Sequence, residues 1–205
     1  MKRYIVAFVF FFCFSTAFAQ VKIGLQVSPG LSFNRVKDES TLNFSSNGVG
    51  GRLIAGVVVD YLWQENYYIS SGLFFVPKRV GIESSNGVKE AYRLHYLQIP
   101  VALKLFTNEV ALDTRVYFQV GLTADVKILE DNLTEQTIYI DRFRAIDSSL
   151  LLSAGAEYRY GYNTIFFGGF SYRRGLGNVV RREGATQGDI TVKNDLFSLD
   201  LGIKF

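Results

Sequence analysis

The sequence predicts an all-β chain: an eight-stranded antiparallel up-and-down transmembrane β-barrel preceded by a cleaved signal peptide. Three observations predict it. Apolar and polar residues alternate with a period of two over long runs, as strands with one greasy and one wetter face require. No stretch after Gln20 holds the ~18 apolar residues that a spanning helix needs. The connections between the alternating runs go long, short, long, short, long, short, long, and outer-membrane barrels have this pattern because both termini and the short turns lie in the periplasm.

The N-terminus reads as a targeting segment. Met1-Lys2-Arg3 is a positive n-region, Ile5 to Phe14 is almost wholly apolar, and Ala17-Phe18-Ala19 before Gln20 fits a small-x-small cleavage site. The apolar run is too short for a span, which argues for a signal peptide over residues 1–19. Cys13 sits among phenylalanines and does not fit a lipoprotein acceptor. Cleavage after Ala19 removes the only Cys and the only Met, so no disulfide framework or Cys-based metal site remains. Removing Lys2 and Arg3 from 22 basic residues leaves 20 against 19 acidic ones. That balance argues against a nucleic-acid footprint, which would show a clustered basic excess. No Pro/Ser-rich linker divides residues 20–205, which form one domain.

Each strand is justified by its own file. Val21, Ile23, Leu25 and Val27 carry the first, continuing past Pro29 toward Phe33, and a polar stretch from Asn34 to Gly50 follows. Leu53, Ala55, Val57, Val59 and Tyr61 carry the second, and Tyr67, Ile69, Ser71, Leu73 and Phe75 the third. A loop is expected from Lys78 to Ala91, where Ser84-Ser85-Asn86-Gly87 is a strong turn signal. Leu97, Ile99, Val101, Leu103 and Leu105 form the fourth, a run of the ~9 to 11 residues that cross a bilayer. Pro100 interrupts its ladder, and a mid-strand Pro predicts a bulge. Val116 to Lys127 alternates most cleanly and makes the fifth. Leu150 to Tyr158 makes the sixth, Thr164 to Arg173 the seventh, and Phe197 to Phe205 the eighth. Strand seven has bulky residues on both faces and cannot be oriented from sequence.

The charges sit opposite the apolar files. Arg52, Asp60, Lys104, Asp125, Glu157, Asp200 and Lys204 all do so, and Lys22 joins them. A basic side chain facing lipid at the midplane costs ~2 to 4 kcal/mol, so these residues are expected in the lumen or at its rims. Eight strands leave a lumen just wide enough for side chains to fill, which predicts a packed polar plug rather than an open channel. Tyr61, Trp63, Tyr67, Phe106, Tyr158, Tyr160, Tyr162 and Phe205 gather at the short-turn end as an expected interfacial girdle.

With these pieces in place, the chain resembles the PorT-type family of small outer-membrane β-barrel proteins of Bacteroidetes-like bacteria. The resemblance rests on Tyr96-Leu97-Gln98-Ile99-Pro100, Leu103-Lys104-Leu105, Thr107-Asn108-Glu109, Phe118-Gln119-Val120-Gly121-Leu122, Ser153-Ala154-Gly155-Ala156-Glu157-Tyr158, Asn163-Thr164, Tyr172-Arg173-Arg174-Gly175-Leu176-Gly177-Asn178 and Leu201-Gly202-Ile203-Lys204-Phe205, in the family's order. It implies a barrel in the outer membrane with no catalytic residues, cofactor or metal to carry over. The namesake's link to type IX protein secretion implies a complex-forming role. The expected partners are outer-membrane lipid, other envelope proteins and the barrel-assembly machinery, since Phe205 resembles the terminal aromatic by which such barrels are recognised.

Other functions would need residues of their own. A lipid-modifying enzyme would need His95, the only histidine, and a base requires a nucleophile within hydrogen-bond reach, for which the sequence offers no candidate. Tyr172 to Gly177 has glycine spacing reminiscent of a phosphate loop but lacks the helix and the Lys-Ser/Thr, and reads as a loop entry. Glu130, Asp131 and Glu135 do not fit a Ca²⁺-ligand spacing. A narrow porin-like conduit or a small-solute binding barrel would need an unfilled lumen. A soluble barrel holding an apolar ligand would need the apolar files inside.

Overall fold

The computed structural model describes residues 20–38, 44–133, 140–183 and 190–205; the expected signal peptide, with Cys13, lies outside the described residues. The elements are β1 (Val21–Asp38), β2 (Ser45–Ser46), β3 (Gly50–Gln64), β4 (Tyr67–Glu83), β5 (Lys89–Ala111), β6 (Thr114–Asn132), β7 (Ile140–Phe143), β8 (Ile146–Tyr160), β9 (Thr164–Gly175), β10 (Val180–Glu183) and β11 (Ile190–Lys204). β1, β3, β4, β5, β6, β8, β9 and β11 pair in sequence as antiparallel neighbours, and β1 pairs with β11 to close the cylinder. The expected eight-stranded meander is therefore the fold. Closure by the β1–β11 pairing leaves no open first or last strand, as lipid requires, where unmet backbone groups cost several kcal/mol each.

Both chain ends of the wall and the three short turns lie at one end. Each turn holds one residue with positive φ: Asn66 at 65°, Asp113 at 55° and Gly161 at 69°. These residue types tolerate the left-handed region that tight hairpins demand.

At the other end the strands run beyond what their alternation suggested. The expected loop from Lys78 to Ala91 is mostly strand, with a tight tip around Ser84 and Gly87, where the Gly87 amide donates to the Ser84 carbonyl at 2.8 Å. Likewise Tyr172 to Gly175 belongs to β9 and is not a loop entry. β3 begins later than its neighbours reach, leaving a gap between the outer parts of β1 and β4. Side chains bridge it: Asn34 donates through Nδ2 to the Gly81 carbonyl (2.8 Å) and accepts the Gly81 amide through Oδ1 (3.1 Å), while Ser32 Oγ accepts the Arg79 amide (3.0 Å). Buried backbone groups that lack a strand partner are thus satisfied by side chains.

Pro100 makes no bulge. It stays in register with Thr123 of β6; the β5–β6 register shifts fall instead between His95 and Tyr96, where Ile128 is the extra residue of β6, and on either side of Glu109 by the short turn. On the β4 side the ladder pairs lapse between Ser71 and Phe74, and Ser71 Oγ donates to the Pro100 carbonyl at 2.8 Å. A lost ladder bond is compensated locally, so no inserted residue is needed.

The wall's faces are sorted as the alternation requires. Val120, Leu152 and Leu199 are 45%, 44% and 36% exposed, while Lys104, Asp125, Glu157 and Asp200 are 3%, 0%, 4% and 5% exposed. An apolar outside around a polar inside is the inverse of a water-soluble barrel. β9 is oriented by its burial: Ile165, Phe167, Ser171 and Arg173 point inward, and Phe166 and Phe170 face outward.

The narrow lumen fits its large rings only because glycines sit beside them. A Cβ built at Gly155 or at Gly169 would come within 2.6 Å of Tyr117 Oη, and one at Gly202 would overlap the Phe167 ring. Overpacking of this kind costs ~1–3 kcal/mol. Gly155→Val is expected to destabilise the barrel by about that amount, measured as a lower urea midpoint for refolding into lipid vesicles.

Candidate functional site

The lumen is built in layers, read here from the short-turn end. Tyr68, Phe106 and Tyr117 form a first buried cluster, with the Lys104 ammonium 5.2 Å and 4.1 Å above the Phe106 and Tyr117 rings. Next comes an ion quartet. Lys104 Nζ donates to Glu157 Oε1 (2.6 Å) and Asp60 Oδ2 (3.2 Å), and Lys204 Nζ donates to Asp60 Oδ2 (2.5 Å) and to Glu157. Four strands supply it: β3, β5, β8 and β11. Ser70 Oγ adds a hydrogen bond to Asp60 at 2.6 Å. Two ammonium groups alternating with two carboxylates neutralise one another, which a buried charge requires.

Above the quartet, Asp200 accepts from Ser171 (3.1 Å) and Ser198 (3.0 Å), and Arg173 donates to the same two hydroxyls at 3.1 and 3.0 Å. A residual cavity of about 30 Å³ lies here, lined by Gln26, Arg173 and Asp200 among others, which is space for about one water. An apolar layer of Ile54, Val58, Phe74, Val76, Phe167 and Leu196 packs beside it. A second ionic knot follows. Lys78 Nζ donates to Asp125 (2.6 Å) and Asp147 (3.0 Å), Gln98 donates to Asp125 (2.7 Å), and the ammonium lies 4.8 Å over the Tyr96 ring.

The outer mouth is closed by an apolar core: Phe44, Val80, Ile82, Tyr92, Leu94, Tyr96, Ile140, Phe143, Val179, Val180 and Val192. β7 and β10 pair across the mouth. Asn178 Oδ1 ties them to the wall by accepting the Val180 and Val192 amides at 3.1 and 3.0 Å. The plug is therefore not wholly polar as expected, because the strand extensions carry Val80, Ile82 and Leu94 inward above the membrane-level charges.

Of the residues singled out by sequence, Asp60, Lys104, Glu157 and Lys204 meet in one contact set, and Asp125 and Asp200 lie in the layers above. Arg52 does not join them. It sits at the outer rim, donating to the Gly51 carbonyl at 2.7 Å, because β3 starts only two residues before it. Lys22 lies at the opposite rim, 5.5 Å over the Tyr68 ring. Tyr61, Trp63, Tyr67, Tyr158, Tyr160, Tyr162 and Phe205 are exposed at the short-turn end. Phe106 is a correction: it points inward, edge-on to Tyr68 at 5.1 Å, since it shares the inward file of Lys104.

Sequence reading does not single out Lys78, Asp147 or Arg173: Lys78 opens the expected Lys78 to Ala91 loop, Asp147 ends the charged segment before the sixth strand, and Arg173 ends the seventh strand, whose faces the sequence cannot orient. The inward file Val76, Lys78, Val80, Ile82 was the available signal, a second alternating run continuing the first. His95 does have a partner, Asp131, at 3.1 Å between Nε2 and Oδ2, and it stacks on Phe75. The extra residue at the β6 register shift brings Asp131 there. Among the described residues no hydroxyl or thiol hydrogen-bonds this pair, and none forms a cluster of three or more metal-ligating side chains. Glu130 is held by Lys127, and Glu135 lies outside the described residues.

Residues 18–181 match the family model described as outer membrane protein beta-barrel domain. No curated protein sequence matches the chain. The fold is similar to that of the outer membrane protein OprG from Pseudomonas aeruginosa, with a TM-score of 0.58 at 14% identity, covering 89% of this chain and 95% of that one. Neisserial surface protein A gives a TM-score of 0.49 at 9% identity, covering 89% and 95%. The N-terminal β-barrel domain of Pseudomonas aeruginosa OprF gives 0.43 at 9%, covering 90% and 97%. With a wall that is apolar outside, charged inside and closed on itself, and with the family model matched over most of its length, the chain belongs to the outer membrane protein β-barrel domain family and is a barrel of the bacterial outer membrane.

Proposed function

We propose that this barrel is exported by an N-terminal signal peptide and serves a structural or complex-forming role in the outer membrane, with neither catalytic nor conducting activity. One observation carries the reading: the lumen is filled along its length by the quartet, the Lys78 knot and the apolar core at the mouth, leaving about 30 Å³ in the polar middle. A solute path would need a continuous wet lumen. Among the described residues no nucleophile is hydrogen-bonded to the His95–Asp131 pair, which speaks against lipid-modifying chemistry. Aromatic side chains at the short-turn rim serve as the inner interfacial girdle. Participation in protein secretion, as for PorT-type proteins, is the most specific version of this reading and is supported by the sequence resemblance alone. Its partners would then be other envelope proteins, with the barrel-assembly machinery acting during insertion.

Purification from detergent-solubilised outer membrane is expected to bring down a stoichiometric envelope protein, and planar bilayers are expected to show no unit conductance. Stepwise conductance from the wild-type barrel would contradict the reading and favour a conduit. In the quartet, Lys104→Met leaves two carboxylates facing one ammonium. Removing one partner of a buried ion set costs ~3–5 kcal/mol, so this variant should unfold at markedly lower urea. Combining it with Asp60→Asn should recover part of the loss, and additive losses would show that the quartet does not act as a unit.

A further inference from the structure

We infer that Arg52, Arg79 and Arg93 form a binding site for the phosphate group of an outer-leaflet lipid. The three guanidinium groups lie at the outer rim of the β3–β4–β5 sector. Arg79 and Arg93 are direct partners in the β4–β5 register, and like charges placed opposite one another across a ladder are destabilising. Arg52 lies within charge–charge range of both. The segment Gly48–Gly50 packs against Arg52 and Arg79: a Cβ built at Gly50 would fall 3.0 Å from Arg52 Nη2 and 3.0 Å from Arg79 Cδ.

Three cations are thus collected where, among the described residues, no carboxylate is paired with them. Arg52 Nε, Arg52 Nη2 and Arg79 Nε are buried and have no hydrogen-bond partner. Arg52 reaches only a backbone carbonyl, and among the described residues no carboxylate forms an ion pair with any of the three. Asp131, opposite Arg93 in the β5–β6 register, is engaged by His95. Buried cationic donors need an acceptor, and a phosphate accepts several guanidinium N–H groups at once in the forked geometry that Arg prefers to Lys.

The location selects a lipid as the source. Arg79 and Arg93 continue the outward-facing files of Leu73 and Phe75 on β4 and of Leu97 and His95 on β5. Exposed Leu53, Leu73 and Phe75 lie just below, so a lipid whose acyl chains cover them presents its headgroup at the arginines. Arg93 stands two positions along the strand from His95, a rise of ~7 Å, within the headgroup layer.

The test uses the full barrel in phosphatidylcholine vesicles doped with bisphosphorylated lipid A, or with its dephosphorylated form, followed by extraction into neutral detergent and native mass spectrometry. At least tenfold more phosphorylated than dephosphorylated lipid should be retained. Arg79→Gln with Arg93→Gln should abolish that preference, and the corresponding Lys pair should keep part of it. In neutral detergent without the lipid, Arg93→Gln should raise the melting temperature by relieving the like-charge pair, and it should lose the rise that added lipid gives the wild type. Equal retention of the two lipids, or unchanged preference in the Gln pair, would overturn the site. A lower melting temperature for Arg93→Gln without lipid would assign these residues to structure alone. Stabilisation by inorganic phosphate at the same concentration as the lipid would overturn the lipid as its source.

Discussion

The seam between β1 and β11 is the constraint on which the rest depends. A barrel in lipid has no water to satisfy an open edge, so the first and last strands must pair along their length, from Gly24 with Lys204 to Asp38 with Ile190. Closing at eight strands fixes a narrow bore. That bore is too tight for large side chains at every position and too dry for isolated charges. Glycines at 155, 169 and 202 yield space to Tyr117 and Phe167, and the ammonium groups of Lys104 and Lys204 are locked between Asp60 and Glu157. The seam itself brings Lys204 to that quartet, linking closure of the wall to neutrality of its contents.

How much of this was legible follows from the range of the interactions. β6 could be read from its own residues, because Val116 to Lys127 alternate without interruption and the outward file needs only lipid as its partner. The quartet was half legible: alternation put all four residues on the inner face, but only the registers of four strands could bring them into contact. Where inward residues turn apolar above the membrane level, as at Val76, Val80 and Ile82, alternation between faces fades. Lys78 was lost to the loop for that reason. Phe106 was misjudged because an aromatic near a turn looks the same from sequence whether it faces lipid or lumen; parity with Lys104 decides it. Pro100 was expected to bulge, yet a single hydroxyl from Ser71 accommodates it. Asp131 reached His95 only through the extra residue at Ile128, and no local pattern announces such a shift.

The architecture also divides the molecule by role. Inside, Lys104 and Lys204 pair with Asp60 and Glu157, Lys78 pairs with Asp125 and Asp147, and an apolar cluster packs across the mouth. Outside and above the apolar belt, Arg52, Arg79 and Arg93 gather with no carboxylate paired to them among the described residues. The small β7–β10 sheet, tied down by Asn178, packs across the mouth.

The central claim, oily residues toward acyl chains around a closed charged interior, is tested most directly by depth-dependent quenching of single tryptophans. With Trp63 replaced by phenylalanine, tryptophan is placed at Leu122, Leu152 or Leu112, and the barrel is refolded into phosphatidylcholine brominated at mid-chain. The account predicts strong quenching at Leu122 and Leu152 and little at Leu112, in the second short turn. Equal, weak quenching at all three, with each tryptophan open to aqueous iodide, would contradict it.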